Sequence, residues 1–513
     1  MKQYRVYNYI LVLVFVLAMI IPVVFMNTNP GKISEAENRV LAGFPSLRGP
    51  DQSFNKHILS DFENWFNDNL GWRDRFTMLN TKIQYHLFGH ITKSDTMMGR
   101  DQWLYYVTPE IIRDYQHLNL PSDTELAAIG GQFQKISDYL QAKGIPSLYM
   151  MVPDKKTVYP ENYPDTILQV GEKSRTDVLI DYMSKYTDVN FFTPEPALKA
   201  AKLEATVYSE RVDNAHWNSY GAFVGYQELM SRVKQLNPKV KVLKWDDFEI
   251  TREEQSIKIY NALKFTESGY VFNWKVPTTA SRVEGLLDNI PIIYPDYSYT
   301  YVNADKNLAK ALVVGDSYFY GHLIPFLAES FSEFTFVHTE NMGNFEKIVN
   351  IVQPDIVIYE NAERMFDHDI QVISNSLEQF EDYSIYKELP VESDSQVWID
   401  YANNALVQNQ KEIEIDKDNN IVSLFGWALD SREHSTASHI FLKVGDTYYP
   451  GTYGSVRTSV SDFFQNPELT NSGFEFFVKS SELIKAGKFS LIVISNDRSY
   501  QYAPVDVQVK VKP

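Results

Sequence analysis

The sequence predicts an α/β protein built on a mostly parallel sheet, with one membrane-spanning helix ahead of it and an antiparallel β-sandwich behind. Three observations predict this. An uncharged apolar run fills Ile10 to Phe25. From Ser122 to the DIVIYE segment at Asp355, short apolar runs alternate with amphipathic helical patterns, the pattern of a parallel sheet covered on both faces. Past Ile399 the chain changes to alternating or β-branched segments such as KEIEI, HIFLKVG and FSLIVIS, separated by DKDNN, NSG and NDRS turns, which reads as a sandwich.

The N-terminal run is about long enough to cross a hydrocarbon layer of roughly 30 Å. Lys2 and Arg5 precede it, so the short tail is expected in the cytoplasm and the remainder outside. A cleaved signal peptide is the competing reading, but the apolar stretch is long for one and FMNTNPGK is a poor cleavage context. After a Pro/Gly-containing connector, Phe54, Ile58, Phe62, Trp65, Phe76, Leu79 and Ile83 fall at helical spacing,. QWLYYVT reads as a short strand.

In the α/β region, Ser122 and Glu125 form a capping box, and Leu126, Ile129, Phe133, Ile136 and Leu140 make one stripe,. Strands are expected at IPSLYMMVP, VNFF, ALVVG, EFTFVH and DIVIYE. Helices are expected over Asp177 to Tyr186, Tyr220 to Leu236, Leu323 to Ser330 and Phe345 to Val352. From Trp245 to Asn307 there is little period, and loops with short strands are expected. In the sandwich, Trp427 of GWALD is expected in the core rather than as a sugar platform.

Composition narrows the function. The chain has 513 residues, 44% of them hydrophobic, a net charge of −18 and no cysteine. Without a basic cluster, nucleic acid is not an expected partner. Without cysteine there is no disulfide frame, thiolate metal site or cysteine nucleophile. No metal and no cofactor is expected.

Two places carry chemistry. At Val313-Val314-Gly315-Asp316-Ser317 an apolar strand runs into Gly-Asp-Ser ahead of a helix. There a serine hydroxyl is exposed at the carboxyl end of a strand, where ligands of such sheets sit. Turn N–H groups can face a developing oxyanion. Alone, the serine reads better as a cap for the following helix. The second place is Asp213-Asn-Ala-His216-Trp-Asn218-Ser219. His216 can take a serine proton, and Asp213 can fix its tautomer. Asn218 or Ser219 can cap the helix behind. Alone, this pair reads as well as a histidine at a helix entrance with an aspartate cap.

Together, the strand–GDS turn and D-x-x-H before a helix resemble the two halves of the SGNH hydrolase signature. Their order, Asp-His ahead of Ser, is similar to that of the alginate O-acetyltransferase-type SGNH proteins. So are ENRVLAGFP, FENWFNDNLGWRDRF, MMGRDQWLYY, MVPDKKTVYPENYP, VDNAHWNSYGA, VVGDSYFYGHLIPFLAESF and PDIVIYENAERMF. The resemblance implies an SGNH-like (flavodoxin-like) sheet with permuted motif order. It also implies transfer of acetyl groups to hydroxyls of an extracellular polysaccharide, beside a polytopic membrane-bound O-acyltransferase that supplies the acyl group. Ser317 would be the nucleophile, His216 the base and Asp213 the acid. Family members often carry the acid two residues before the histidine, where this chain has Asn214, whereas Asp213 fits the general SGNH spacing.

Asn361 and Arg364 are candidates for the further oxyanion or substrate contact, and Lys155 and Tyr159 for a hydroxylated or anionic substrate, with solvated or surface roles as the plainer alternatives. His322 is assigned no role. The expected division is an anchor over 1–28, a linker over 29–50, an acyl-transfer unit over 51–395 and a sandwich, read as a carbohydrate-binding module, over 400–513. An esterase using the same triad and a non-catalytic polysaccharide-binding scaffold stay open beside the transferase.

Overall fold

A computed structural model describes residues 2–29, 31–34, 39–48, 53–288, 290–380 and 383–512. Glu37 and Asn38 of ENRVLAGFP, the stretch 49–52 at the expected domain boundary, and the side chains of Lys2 and Arg5 lie outside that description. The first helix, α1 (Lys2–Val24), is apolar and almost entirely exposed from Tyr7 to Val24. A helix satisfies its own backbone groups, which is what a bilayer demands of a span, and the same length and composition suit a signal sequence.

The sheet that carries the candidate site has seven strands: β1 (Ser147–Val152), β2 (Phe191–Phe192), β3 (Ser281–Val283), β4 (Tyr299–Val302), β5 (Lys310–Gly315), β6 (Glu333–His338) and β7 (Ile356–Ala362). Their order across the sheet is β2-β1-β7-β5-β6-β4-β3. The first five run parallel, and β4 and β3 extend one edge antiparallel. The helices that matter to the site are α2 (Asp123–Ala142), α3 (Arg175–Tyr186), α4 (Ser219–Leu236), α5 (Ser317–His322), α6 (Ile324–Ser330), α7 (Phe345–Val352) and α8 (Phe366–Ser374).

Local chemistry explains these elements. Ser122 Oγ accepts from the Glu125 N–H at 3.4 Å and Glu125 returns a bond to the Ser122 N–H at 2.8 Å, closing the capping box of α2. Buried strands β1, β5 and β7 read as unbroken apolar runs because helices cover both faces. On one face α4 and α6 pack, with Phe223, Tyr226 and Phe326 in the core. On the other, α2, α3, α7 and α8 bury Phe133, Leu179, Ile348 and Phe366.

Where little period was expected, the structure has a long two-stranded ribbon, Phe248–Ile259 paired with Leu263–Trp274 over twelve residues, followed by β3 and β4. The middle of its first strand is exposed on both faces, so no apolar alternation marks that strand in the sequence.

The C-terminal region forms two sheets around a shared core that includes Ile399, Leu424, Ile440, Phe476 and Leu491. Its strands begin at Val391, and two pairings, Val391–Glu392 with Gln501–Tyr502 and Glu412–Ile415 with Val505–Val511, are parallel rather than antiparallel. Nor does it stand apart. Ile421 and Phe477 join the core under α7, and Lys347 of α7 meets Glu475 at 2.9 Å. Trp427 is only partly buried, packed beside Leu429 and Val460, and its cross-strand neighbour Trp398 is exposed.

Candidate active site

Strands β1, β7 and β5 are neighbours and end at one edge. Their carboxyl ends deliver Asp154 to Lys156, Asn361 to Arg364, and Asp316 with Ser317 to a common place, the position where open α/β sheets hold ligands. Asp316 organises the turn. Its N–H donates to Glu360 Oε2 at 3.0 Å, its Oδ1 accepts from the Tyr318 N–H at 2.8 Å as the cap of α5, and its Oδ2 accepts from the Ala362 N–H at 2.8 Å. The cap is therefore the aspartate, and Ser317 is left as the first helical residue.

The other half comes from the loop before α4. Asn218 Oδ1 accepts from the Gly221 N–H at 3.0 Å and caps that helix. Gly221 is needed there, because a β-carbon would fall 1.9 Å from the Val207 carbonyl oxygen. The loop turns on Asp213, whose Oδ1 accepts from the Ala215 and His216 N–H groups at 2.7 and 2.9 Å. The other oxygen, Oδ2, lies 2.9 Å from His216 Nδ1, and His216 Nε2 lies 2.9 Å from Ser317 Oγ.

Three residues read from two separate segments, 101 positions apart at the His–Ser step, thus form one continuous chain of hydrogen bonds. Burial works against the Asp213 carboxylate, but the bonds and charge of His216 with the two N–H groups hold it well below the usual carboxylate range. An ionised acid, an imidazole and a hydroxyl in this order can perform base-assisted nucleophilic attack.

Comparisons with known proteins agree with the fold. Residues 96–332 match the family model described as the SGNH hydrolase-like domain of acetyltransferase AlgX. Over that stretch, a little under half of the chain, it is similar to that family. Similar solved structures include Bacillus cereus PatB1 with a sulfonyl adduct (16% identity, 52% of this chain and 94% of that one, TM-score 0.39). They also include the O-acetyltransferase domain of Pseudomonas putida AlgJ (15% identity, 55% and 99%, TM-score 0.32) and Pseudomonas aeruginosa AlgX (11% identity, 80% and 90%, TM-score 0.35). No curated protein sequence matches.

Around the candidate triad, the domain is tied together by buried polar groups. Tyr318, next to the serine, has its ring edge-on to His216 at 4.8 Å. Its hydroxyl lies 3.0 Å from the Ala215 carbonyl and 3.2 Å from Asp154 Oδ1, and it accepts from Arg364 Nη1 at 3.2 Å. Burial, with Tyr208 and Asp154 beside it, pushes the Tyr318 phenol well above its ordinary value, so it stays a neutral donor. Arg364 also pairs with Asp154 and lies over the Tyr106 and Tyr318 rings.

The remaining sequence candidates take other places. Lys155 is buried, its ammonium donating to the carbonyls of Leu104 and Asp213 at 2.9 and 2.5 Å. Burial pulls its pKa down to about 7. Tyr159 is buried against Trp103, its hydroxyl accepting from the Val207 N–H at 3.0 Å. Asn361 is fully buried, its amide donating to the neighbouring Ala362 carbonyl at 3.3 Å and hydrogen-bonding to the Asp369 carboxyl. In this geometry Lys155 and Tyr159 brace the loop before α4 and Arg364 the Ser317 turn, and Lys155 and Arg364 also line a small cleft with Tyr106 and Asn214. Asn214, at the family's usual acid position, turns away to Thr96 Oγ1 at 2.7 Å. His322 lies 3.4 Å from Ser219 Oγ.

Sequence reasoning missed Asp154, Glu360 and Tyr318. Asp154 follows β1 directly, so the rule that singled out Ser317 after β5 marks it as well. A cavity of about 680 Å³ opens on the acid side of the triad, between Asp213 and Asn214, Lys93 and Arg39, and the ribbon tip at Ile257 to Tyr260.

Proposed function

We propose that this chain is a serine O-acetyltransferase that moves an acetyl group through Ser317 onto hydroxyls of an extracellular polysaccharide. The observation that carries the reading is the Asp213–His216–Ser317 chain, with both side-chain steps at 2.9 Å. Ser317 Oγ attacks the acetyl carbonyl carbon of the donor while His216 Nε2 takes its proton. The tetrahedral centre collapses, and the leaving group departs with that proton. A sugar hydroxyl then enters, gives its proton to Nε2 and attacks the acyl-serine, and Ser317 recovers a proton as the product ester leaves. The Ser317 N–H, at the start of α5, is one donor to the oxyanion.

The apolar α1 is taken as an uncleaved anchor that leaves the catalytic unit outside the membrane, beside a polytopic membrane-bound O-acyltransferase as acyl source. The catalytic unit is assigned to 51–395, and the sandwich, 400–513, to acceptor binding. The test is intact mass spectrometry of the full chain after incubation with an activated acetyl ester. One acetyl adduct is expected, absent in Ser317→Ala, and discharged faster by oligosaccharide than by water. A folded protein that never acquires the adduct overturns the proposal.

A further inference from the structure

The helix that follows the NLGW turn, Arg73–Phe88, is apolar on the side turned away from the protein. At about 100° per residue, Phe76, Leu79, Ile83 and Leu87 share an arc of about 80° and a length of about 16 Å. They are exposed by 47%, 54%, 43% and 71%. The opposite face already makes this helix's protein contacts. Asp74 accepts from Ser34 at 3.1 Å, Thr81 is buried against Thr92, and Tyr85 packs edge-on to Phe265 of the ribbon. Single exposed apolar residues need no explanation, but a continuous stripe on the outward face marks a surface that another phase or partner covers.

The structure also indicates what that phase is. The stripe begins where the anchor ends. The Gly71 N–H donates to the Pro22 carbonyl at 2.8 Å, the Asn27 N–H to the Asn69 carbonyl at 2.8 Å, and Asn27 Nδ2 to Asn69 Oδ1 at 2.7 Å. Gly71 is required for this approach, since a β-carbon there would lie 2.5 Å from the Phe25 backbone. Phe25 stacks on Trp72 at 5.4 Å, and Trp72 in turn meets Phe76 at 6.5 Å. An apolar surface therefore runs without a break from the outer end of α1 onto the stripe. Along one edge of the arc stand Arg75, Lys82 and His86, the arrangement of an interfacial helix whose basic side chains reach for headgroups while its apolar face enters the acyl boundary.

We propose that the Arg73–Phe88 helix lies in the membrane–water interface and is a second lipid contact of this chain, fixing the catalytic unit close to the bilayer surface. This rests on α1 being a retained anchor. Because the sequence has no cysteine, a single introduced cysteine gives an unambiguous label. Spin-labelled Leu79→Cys and Ile83→Cys are made in the full chain and reconstituted in phosphatidylcholine vesicles containing phosphatidylglycerol. Collision with oxygen, enriched in lipid, and with a water-soluble nickel chelate is then measured. Leu13→Cys in α1 and Lys485→Cys on the sandwich are the lipid and water references.

The expected result is lipid-like accessibility at positions 79 and 83, at a depth of about 5–10 Å, with position 13 lipid-like and 485 water-like. Water-like values at 79 and 83 beside a lipid-like 13 would overturn the proposal and leave the anchor standing. A water-like 13 overturns the anchor and the proposal with it. Shielding of 79 and 83 from both reagents means that protein, a second copy of this chain, covers the stripe, and the lipid assignment is then wrong.

Discussion

Replacing Asp213 by asparagine is a sharp probe of the candidate triad, because it changes one atom's hydrogen-bonding sense and little else. Asp213 Oδ1 accepts two backbone N–H groups and Oδ2 faces His216 Nδ1. In Asp213→Asn the amide oxygen must stay with the two N–H donors, which places the NH₂ group against Nδ1. The imidazole then carries its proton on Nε2, pointing at Ser317 Oγ, and can no longer accept from it. In a serine triad the wrong tautomer costs roughly 10³–10⁴ in rate, about 4–5.5 kcal/mol of transition-state stabilisation. The loop should keep its fold, since both backbone bonds survive. The assay is turnover of a chromogenic acetyl ester together with single-turnover acylation followed by mass, with thermal unfolding as the control. Because Asn214 is committed to Thr96, adding Asn214→Asp should not restore activity. A single variant within tenfold of wild type, or rescue by the second substitution, would refute the assignment of Asp213 as the acid.

Two further outcomes concern stability. Gly221→Ala drives a β-carbon into the Val207 carbonyl oxygen, so α4 must retreat; the expected loss is about 1–3 kcal/mol, read by denaturant unfolding, with acylation slowed because α4 carries the His216 loop. Glu346 of α7 is buried, and burial pushes its pKa up to about 7. Between its unfolded value near 4.5 and 7 the native state holds a proton that the unfolded chain releases, so this group's contribution falls as pH rises through that window. Glu346→Gln should therefore match wild type at pH 4.5 and exceed it by about 3 kcal/mol above pH 7, and equal melting curves across that range would remove the argument.

Much of this architecture was legible because it follows local rules. The strands β1, β5 and β7 are unbroken apolar runs, α2 announces its start with Ser122 and Glu125, and the GDS and D-x-x-H segments each sit at a strand or helix boundary. Their meeting in space was legible only through the order of several motifs together, since no local period links His216 to Ser317. Less visible were the buried polar ties. Lys155 and Arg364 look like solvent-facing cations in the sequence, and only the partners brought to them, the Asp213 carbonyl from the loop before α4 and Asp154 from the end of β1, allow their burial,. The ribbon escaped notice for the opposite reason. Its first strand meets solvent along most of its length and so shows no apolar face, and charges such as Glu253, Glu254 and Lys258 hide its pairing.

That ribbon has a consequence for the loop that carries Asp213. Its backbone bonds are satisfied within the pair, and its tip reaches the cavity beside Asp213 without contributing a strand to the sheet that holds Ser317. Glu267 on its second strand accepts from the Glu210, Arg211 and Val212 N–H groups at 2.7, 2.8 and 3.3 Å, so the ribbon holds the loop that leads into Asp213. A change in the ribbon's register would therefore be felt at the acid of the candidate triad, and the appendage and the site must vary together.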